Sequence, residues 1–438
     1  MIMLSWLGFL MVAVFMYLIM TKRLSAIVAL VIVPIVFALI GGFGFAELGE
    51  MALDGIKKIA PTGVMLLFAI LYFGIMIDAG LFEPLINKIL RLVKGDPVKI
   101  VIGTAVLSML VALDGDGTTT YIITVSAMLP LYRRVGINLM ILTVIPMLSM
   151  GVMNMTPWGG PTARAISALH LDTSQVFTPL IPAMLFGLAW VIFVAYLFGK
   201  KERKRLGIAD ITFTDEDQKA FEEQLAIAEH LGYRRPKLLW FNALLTIGLM
   251  VGLVMNVLPL TILFILAFCL AVAVNYPNLD DQKKRMASHA ANAQAVVAMV
   301  FAAGIFTGII TGTKMVDAMA TSLVALIPES MGAHLPVIVA ITSMPFTYFM
   351  SNDAYYFGVL PILAQTAATY GIDPAQIARA SILGQPVHVL SPLYAAAYLL
   401  CGMVGVDFGE NQKFILKWAV GTSLALIFGA LVTGALIL

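Results

Sequence analysis

Two aspartates one residue apart, Asp114-Gly115-Asp116, close an apolar run and lead directly into Gly117-Thr118-Thr119-Thr120. On a soluble sheet this Asp-x-Asp-Gly-Thr order would suit phosphoryl transfer, one carboxylate attacking phosphorus and the next moving the proton. Inside a membrane the same pair would titrate as a coupled unit, or offer hard oxygen ligands to a cation. The surrounding elements decide which chemistry applies.

Those elements are apolar. The 438 residues are 61% hydrophobic and 12% charged, against about 25% charged in a soluble domain, and mean hydropathy is +0.96. Residues 1–21, 24–46, 135–163, 173–199 and 238–279 carry no charge. The last stretch is long enough for two spans joined by a turn near Asn256–Pro259, since a bilayer-spanning helix needs about 20 residues. The chain reads as an all-α polytopic membrane protein, which removes the soluble sheet a phosphatase needs. Lys22 and Arg23 follow the first apolar run rather than precede it, so that run is expected to be a span and not a cleaved signal. Cys269 and Cys401 sit in separate apolar segments and read as ordinary helix residues. A net charge of +2 gives no sign of a nucleic-acid partner.

One long hydrophilic stretch, 200–237, divides the chain into halves, 1–199 and 238–438. Landmarks recur across it. Gly136-Ile137-Asn138 matches Gly371-Ile372-Asp373, and Thr156-Pro157 matches Ser391-Pro392, both at an offset of 235. At that offset Asp116-Gly117-Thr118 falls opposite Ser351-Asn352-Asp353. The first half reads as spans over 2–20, 24–45 and 60–80, broken segments over 98–132 and 136–170, and a last span over 174–198. The pieces on either side of the aspartates are too short to cross a core of about 30 Å at 1.5 Å per residue. The first broken segment is therefore expected to be a re-entrant hairpin. Five crossings per half make the second copy inverted. With 200–237 cytoplasmic, all but Lys57, Lys58, Arg164, Lys314 and Arg379 of the 27 lysines and arginines fall in cytoplasmic segments, as the positive-inside rule requires. Both termini are then extracellular.

Inverted repeats with broken helices belong to secondary transporters, whose sites lie where the breaks meet. Thr118 or Asp116 is expected to cap the second hairpin arm, and Thr156-Pro157 reads as a cap followed by a first helical residue. Ser351-Asn352-Asp353 and Ser391-Pro392 repeat both patterns. Converging helix N-termini make an anion site, and Gly115, Gly117, Gly159 and Gly160 let backbone approach a ligand. Asp114, Asp116 and Asp353 are expected at mid-membrane depth, where charge is costly unless paired. They carry protons, face a divalent cation, or cap helices. Arg164 pairs with a carboxylate, meets an anionic substrate, or snorkels to the surface. His388 is a proton relay, a substrate donor, or a hydrogen-bonded helix residue. Gln385, Asn154 and Trp158 are candidates for substrate contact. An aspartyl intramembrane protease would need its aspartates on two facing helices, whereas Asp114 and Asp116 share one break.

With these residues in view, "LDGDGTTTYIITVSAMLPLY", "NMTPWGGPTARA" and "SNDAYYFGVLP" resemble the signatures of the metal–citrate/proton symporter family, within the ion transporter superfamily. The segments 8–45 and 68–82 resemble it too, so the likeness covers essentially the whole chain. It implies import of citrate complexed with a divalent cation, coupled to protons, in the bacterial cytoplasmic membrane. The cation (magnesium, calcium or a transition ion) belongs to the substrate, and no resident cofactor is implied. Superfamily relatives are homodimers in which a transport part moves past a scaffold like an elevator, here roughly 98–198 and 333–438 against 1–95 and 238–315. Carried over by motif, substrate contacts fall at Gly115, Gly117, Thr118, Thr119, Asn154, Thr156, Trp158, Gly159, Gly160, Thr162, Arg164, Ser351, Asn352, Gln385, His388 and Ser391. Proton coupling falls to Asp114, Asp116 and Asp353, with Asp116 and Asp353 also facing the metal. Sodium-coupled relatives carry Ser-Asn-Thr tips, and the aspartates at both tips here favour protons. The alternative is another carboxylate transporter or a cation/proton antiporter on the same fold.

Overall fold

The computed structural model of the chain describes residues 2–93, 95–208, 233–255, 257–325 and 329–437; the middle of the expected linker, 209–232, lies outside the described residues. There is no strand among the described residues, and six helices there are apolar and long enough to cross a bilayer. In chain order the helices are α1 (Ile2–Met20), α2 (Ala26–Ile40), α3 (Phe45–Asp78), α4 (Glu83–Val93), α5 (Pro97–Val111), α6 (Gly117–Val135), α7 (Leu139–Met153), α8 (Gly160–Leu169) and α9 (Thr173–Leu206). The second half holds α10 (Leu239–Val254), α11 (Leu260–Asn275), α12 (Leu279–Gly312), α13 (Met315–Val324), α14 (Leu335–Phe349), α15 (Leu360–Thr369), α16 (Pro374–Ile382), α17 (Ala395–Val404) and α18 (Phe408–Val432). A π-helical segment, Ala354–Val359, runs into α15.

Helix α3 is continuous for 34 residues where the apolar pattern predicted a span over 60–80. Charge ends an apolar run without ending a helix: Glu47 accepts from the Gly44 N–H (3.1 Å) to start it, and Lys58 pairs with Asp54 one turn away (2.8 Å). Helix α9 likewise continues to Leu206, past the expected end at 198. Its basic last turns complement the helix dipole, with Arg203 bonded to Asp96 and Arg205 to Glu202. Matching helices start at near-constant offsets. Helices α3 and α12 both have 34 residues and start 234 apart (279 − 45), while α9 and α18 start 235 apart (408 − 173).

Helix packing forms two groups. In one, α3 lies along α12 with α2 and α11 beside them, and α1 joins α2 to α13. In the other, α5, α6, α7, α9 and α18 pack together with α14, α16 and α17. Helix α8 touches both. The first hairpin folds back on itself: Thr104 Oγ1 and Tyr132 Oη, on opposite arms, are 3.1 Å apart. Its tip is the 3-10 turn Ala112–Asp114 followed by Gly115 at φ 80°, a left-handed conformation that suits glycine.

The α3–α12 crossing depends on missing side chains. A Cβ on Gly55 would lie 2.0 Å from the Gly304 carbonyl oxygen, and one on Gly308 would lie 2.3 Å from that of Met51. Small residues spaced this way let backbones meet in a membrane. Gly55→Ala is expected to destabilise the protein by roughly 1–3 kcal/mol through overpacking. Gly49→Ala, on the same helix with open space around it, should leave stability unchanged or raise it slightly. Thermal unfolding of the detergent-solubilised variants measures both.

Candidate functional site

The broken segments meet through bonds that finish their helix ends. Asp116 caps α6: its Oδ2 accepts from the Thr119 N–H (2.8 Å) and from the Thr119 hydroxyl (2.7 Å). Asp114 Oδ1 accepts from the Asp116 N–H at 2.8 Å. In the second half Ser351 Oγ accepts from the Ala354 N–H at 3.1 Å. Both donor and acceptor of that bond lie 235 positions after Thr119 and Asp116.

The second break ends α7 at Met153 and starts α8 at Gly160, with Gly159 as the cap residue and Pro161 in the first turn. The cap therefore falls three residues later than the Thr156-Pro157 reading. The Thr156 carbonyl instead accepts from the Gly159 N–H (2.8 Å), and the Thr156 hydroxyl is buried without a partner among the described residues. The loop is too tight for a side chain at Gly159, where a Cβ would lie 2.0 Å from the Asn154 carbonyl oxygen. Asn154 Oδ1 accepts from the Gly160 N–H (3.2 Å), and Thr162 Oγ1 donates to the Met155 carbonyl (2.8 Å). Trp158 Nε1 donates to the Leu113 carbonyl (2.7 Å), tying this break to the hairpin tip.

Around the second tip the polar residues bind one another. Gln385 Nε2 donates to Asn352 Oδ1 (3.2 Å) and to the Tyr356 hydroxyl (3.0 Å). His388 Nδ1 lies 2.6 Å from the Thr347 carbonyl, and Ser391 Oγ donates to the Tyr348 carbonyl at 2.7 Å. Ser391-Pro392 does not begin a helix, because α17 starts at Ala395; the serine accepts from the Leu393 N–H in a local turn (3.1 Å). The two halves are joined by an ion pair, Arg164 Nε to Asp353 Oδ1 at 2.6 Å, with Arg164 Nη1 also donating to the Gly160 carbonyl (2.9 Å). Of the readings open for Arg164, pairing with a carboxylate is the one observed.

A cavity of about 240 Å³ opens at this meeting point. On one side it is lined by Asp114, Gly115, Asp116, Thr119, Trp158, Gly160 and Arg164. On the other side are Phe73 and Gly74 of α3 and His289 and Asn292 of α12, with Phe357 from the π-helical segment. The Phe73 and Trp158 rings pack with centroids 5.2 Å apart. The other candidates do not line the cavity. Gly117 lies beneath Tyr394, Asn154, Thr156, Gly159 and Thr162 build the break, and Ser351, Asn352, Asp353, Gln385, His388 and Ser391 hold the second tip. Thr118 is exposed outside the cavity. Among the described residues no three His, Cys, Asp or Glu side chains gather around one point.

His289 and Asn292 were not singled out by motif. The available signal was the spacing of Arg285, His289 and Asn292 along one face of a helix rich in alanine, opposite the lone Asp78 of an apolar run. The wall can hold a small polar solute of mixed charge, with carboxylates and a guanidinium on one side and imidazole, amide and aromatic groups on the other.

The chain is similar to known proteins. A family model described as "Citrate transporter" matches residues 15–384. A protein of Bacillus subtilis (strain 168) named "Citrate transporter" is 63% identical over 432 residues, 99% of each chain. A second from the same organism, named "Mg(2+)/citrate complex secondary transporter", is 57% identical, covering 98% of this chain and 99% of its own. The crystal structure of the Alcanivorax borkumensis YdaH transporter superposes with a TM-score of 0.55 over 88% of each chain at 15% identity, a likeness of fold.

The hairpin tip makes its own prediction. A Cβ on Gly117 would lie 1.9 Å from the Tyr394 hydroxyl oxygen, so Gly117→Ala should cost roughly 1–3 kcal/mol. Adding Tyr394→Phe removes the nearest obstructing atom, while the ring carbon stays 3.1 Å away, and should recover part of that loss, read as a non-additive double-mutant cycle in thermal unfolding.

Proposed function

The chain belongs to the citrate transporter family, and from that premise we propose that it is a secondary active symporter importing citrate complexed with a divalent metal ion, driven by protons. The observation that carries this reading is the mixed wall of the cavity, where Asp114 and Asp116 share a surface with Arg164. Citrate with three negative charges would meet two carboxylates there. The same citrate holding a divalent cation is a monoanion, with a metal face for hard oxygen ligands and carboxylates for a guanidinium. The N-termini of α6 and α8 add backbone N–H groups suited to the anionic side. The relative named for a Mg2+/citrate complex supports the same cargo.

Proton coupling follows from the Arg164–Asp353 pair. Asp353 holds the guanidinium at 2.6 Å and so competes with a cargo carboxylate for it. A proton on Asp353 releases Arg164 to the cargo, so proton and cargo each favour the binding of the other, the reciprocal linkage a symporter needs. Asp114 and Asp116, adjacent and facing the metal side, form a second coupled site.

The wider scheme rests on the fold. Near-constant offsets of 234 and 235 between matching helices, with the matched caps at Asp116 and Ser351, support two repeats related by inversion. In that scheme the linker is cytoplasmic and the termini extracellular. The cavity lies between the two packed groups, as expected if one group carries the cargo past the other in an elevator movement. A homodimer in the bacterial cytoplasmic membrane completes the proposal.

Proteoliposomes loaded by labelled citrate test it. Uptake should require a divalent cation, fall to background on chelation, follow an inward proton gradient and ignore sodium. Chelator-insensitive uptake would exclude the complex as cargo, and sodium dependence would exclude protons as the driving ion. Asp116→Asn should lower uptake at least about tenfold, the effect expected from removing one charged contact. Asp353→Asn should remove the response to the proton gradient, and gradient-driven uptake at the wild-type rate in this variant would sink the Asp353 assignment.

A further inference from the structure

The wall opposite the aspartates contains an arrangement that the transport reading does not use. Asp78, near the end of α3, is fully buried. Its Oδ2 accepts from His289 Nε2 at 2.8 Å and lies 3.4 Å from Arg285 Nη1. The Arg285 guanidinium also stacks on the Tyr233 ring, 3.6 Å from its centroid. Arg285 supplies the charge that balances Asp78, so His289 is not needed as a counter-ion. What Asp78 does for His289 is fix the tautomer and the ring plane. With Nε2–H committed to the carboxylate, Nδ1 is the ring nitrogen left to meet a ligand.

The space for that ring is prepared. Gly74, also in the cavity wall, has no Cβ, and one placed there would lie 2.6 Å from His289 Cγ and Nδ1. Asn292, three residues along α12, lies in the same wall and puts a second polar side chain beside the imidazole.

We propose that His289 is a specificity-determining cargo contact, its Nδ1 accepting a hydrogen bond from a donor on the bound solute, with Asp78 and Gly74 as the residues that position it. The donor is either the citrate hydroxyl or a water on the complexed metal. This proposal rests on the reading of the cavity as the cargo site.

Initial uptake rates in proteoliposomes, with KM and maximal rate measured separately, test it. His289→Ala should raise KM for magnesium–citrate by up to about tenfold, the upper end of the effect of losing one ordinary hydrogen bond, with the maximal rate within about twofold of wild type. Gly74→Ala keeps the imidazole but displaces it, and should reproduce the rise in KM. Asp78→Asn, which loosens the ring, should raise KM less than His289→Ala does. Tricarballylate, which is citrate without its hydroxyl, separates the two donors when measured as its magnesium complex. A KM for it that His289→Ala leaves unchanged identifies the hydroxyl, and a parallel rise identifies metal-bound water. Cargo-induced thermal stabilisation of the purified protein supplies a readout independent of transport, and His289→Ala should lose most of it. A His289→Ala protein with wild-type KM and wild-type cargo stabilisation overturns the proposal while leaving the transport reading intact. Absence of metal–citrate uptake in the wild type would instead overturn that reading.

Discussion

A helix that stops inside a low-dielectric layer leaves N–H and C=O groups with no water to satisfy them. The site described above is organised around that constraint. Asp116 and Ser351 each receive an N–H from three residues ahead, Asn154 receives that of Gly160, and Trp158 Nε1 answers the Leu113 carbonyl. Because one oxygen of Asp116 is occupied by the cap and one of Asp114 by the Asp116 N–H, each carboxylate faces the cavity with its geometry already set. Side chains locked by their own structural bonds lose little freedom when a ligand arrives. The need to finish broken helices thus also makes a rigid cavity wall.

The two tips meet the constraint differently. The first is capped by an aspartate, which keeps a second oxygen for other uses. The second is capped by the Ser351 hydroxyl, leaving Asp353 to reach across to Arg164 of the other half. Swapping the roles of Ser351 and Asp353 would place a carboxylate in the cap and remove the bridge between halves. The π-helical turn that follows, Ala354–Val359, accommodates an extra residue in the helix and carries Phe357 into the cavity wall. The two tips therefore divide the work, one lining the cavity and the other holding the arginine.

Motif and periodicity carried a good part of this architecture. The all-helical class, the breaks at 112–116 and 154–159 and the prominence of Asp114, Asp116 and Arg164 were legible because polar and glycine-rich groups interrupting apolar runs have few physical explanations. The length of α3 was not, since hydropathy registers the charges at Glu47, Glu50, Asp54, Lys57 and Lys58 while the backbone continues through them. The start of α8 was misplaced because Thr-Pro is a common cap pattern, and only the approach of the Asn154 carbonyl to Gly159 shows why the turn runs on. His289 and Asn292 lie on an unbroken helix and carry no motif. Their place in the cavity wall depends on a helix more than two hundred residues away in sequence, which brings Asp78 and Gly74 against His289.

Charge sets the last condition on the cargo. The cavity wall carries two carboxylates and one guanidinium, and the guanidinium is already held by Asp353. A free polycarboxylate meets like charge wherever those carboxylates are ionised, and in a medium of low effective dielectric that repulsion is poorly screened. In the scheme proposed for this cavity, a solute is admitted on favourable terms if it brings a positive face to Asp114 and Asp116 and if Asp353 gives up its hold on Arg164. Under the proposed transport scheme the first condition favours a metal-bearing anion and the second a protonated carrier. In that scheme the two conditions rest on different side chains, Asp114 and Asp116 for the first and Asp353 with Arg164 for the second, and they meet only because the guanidinium shares the cavity wall with the first pair.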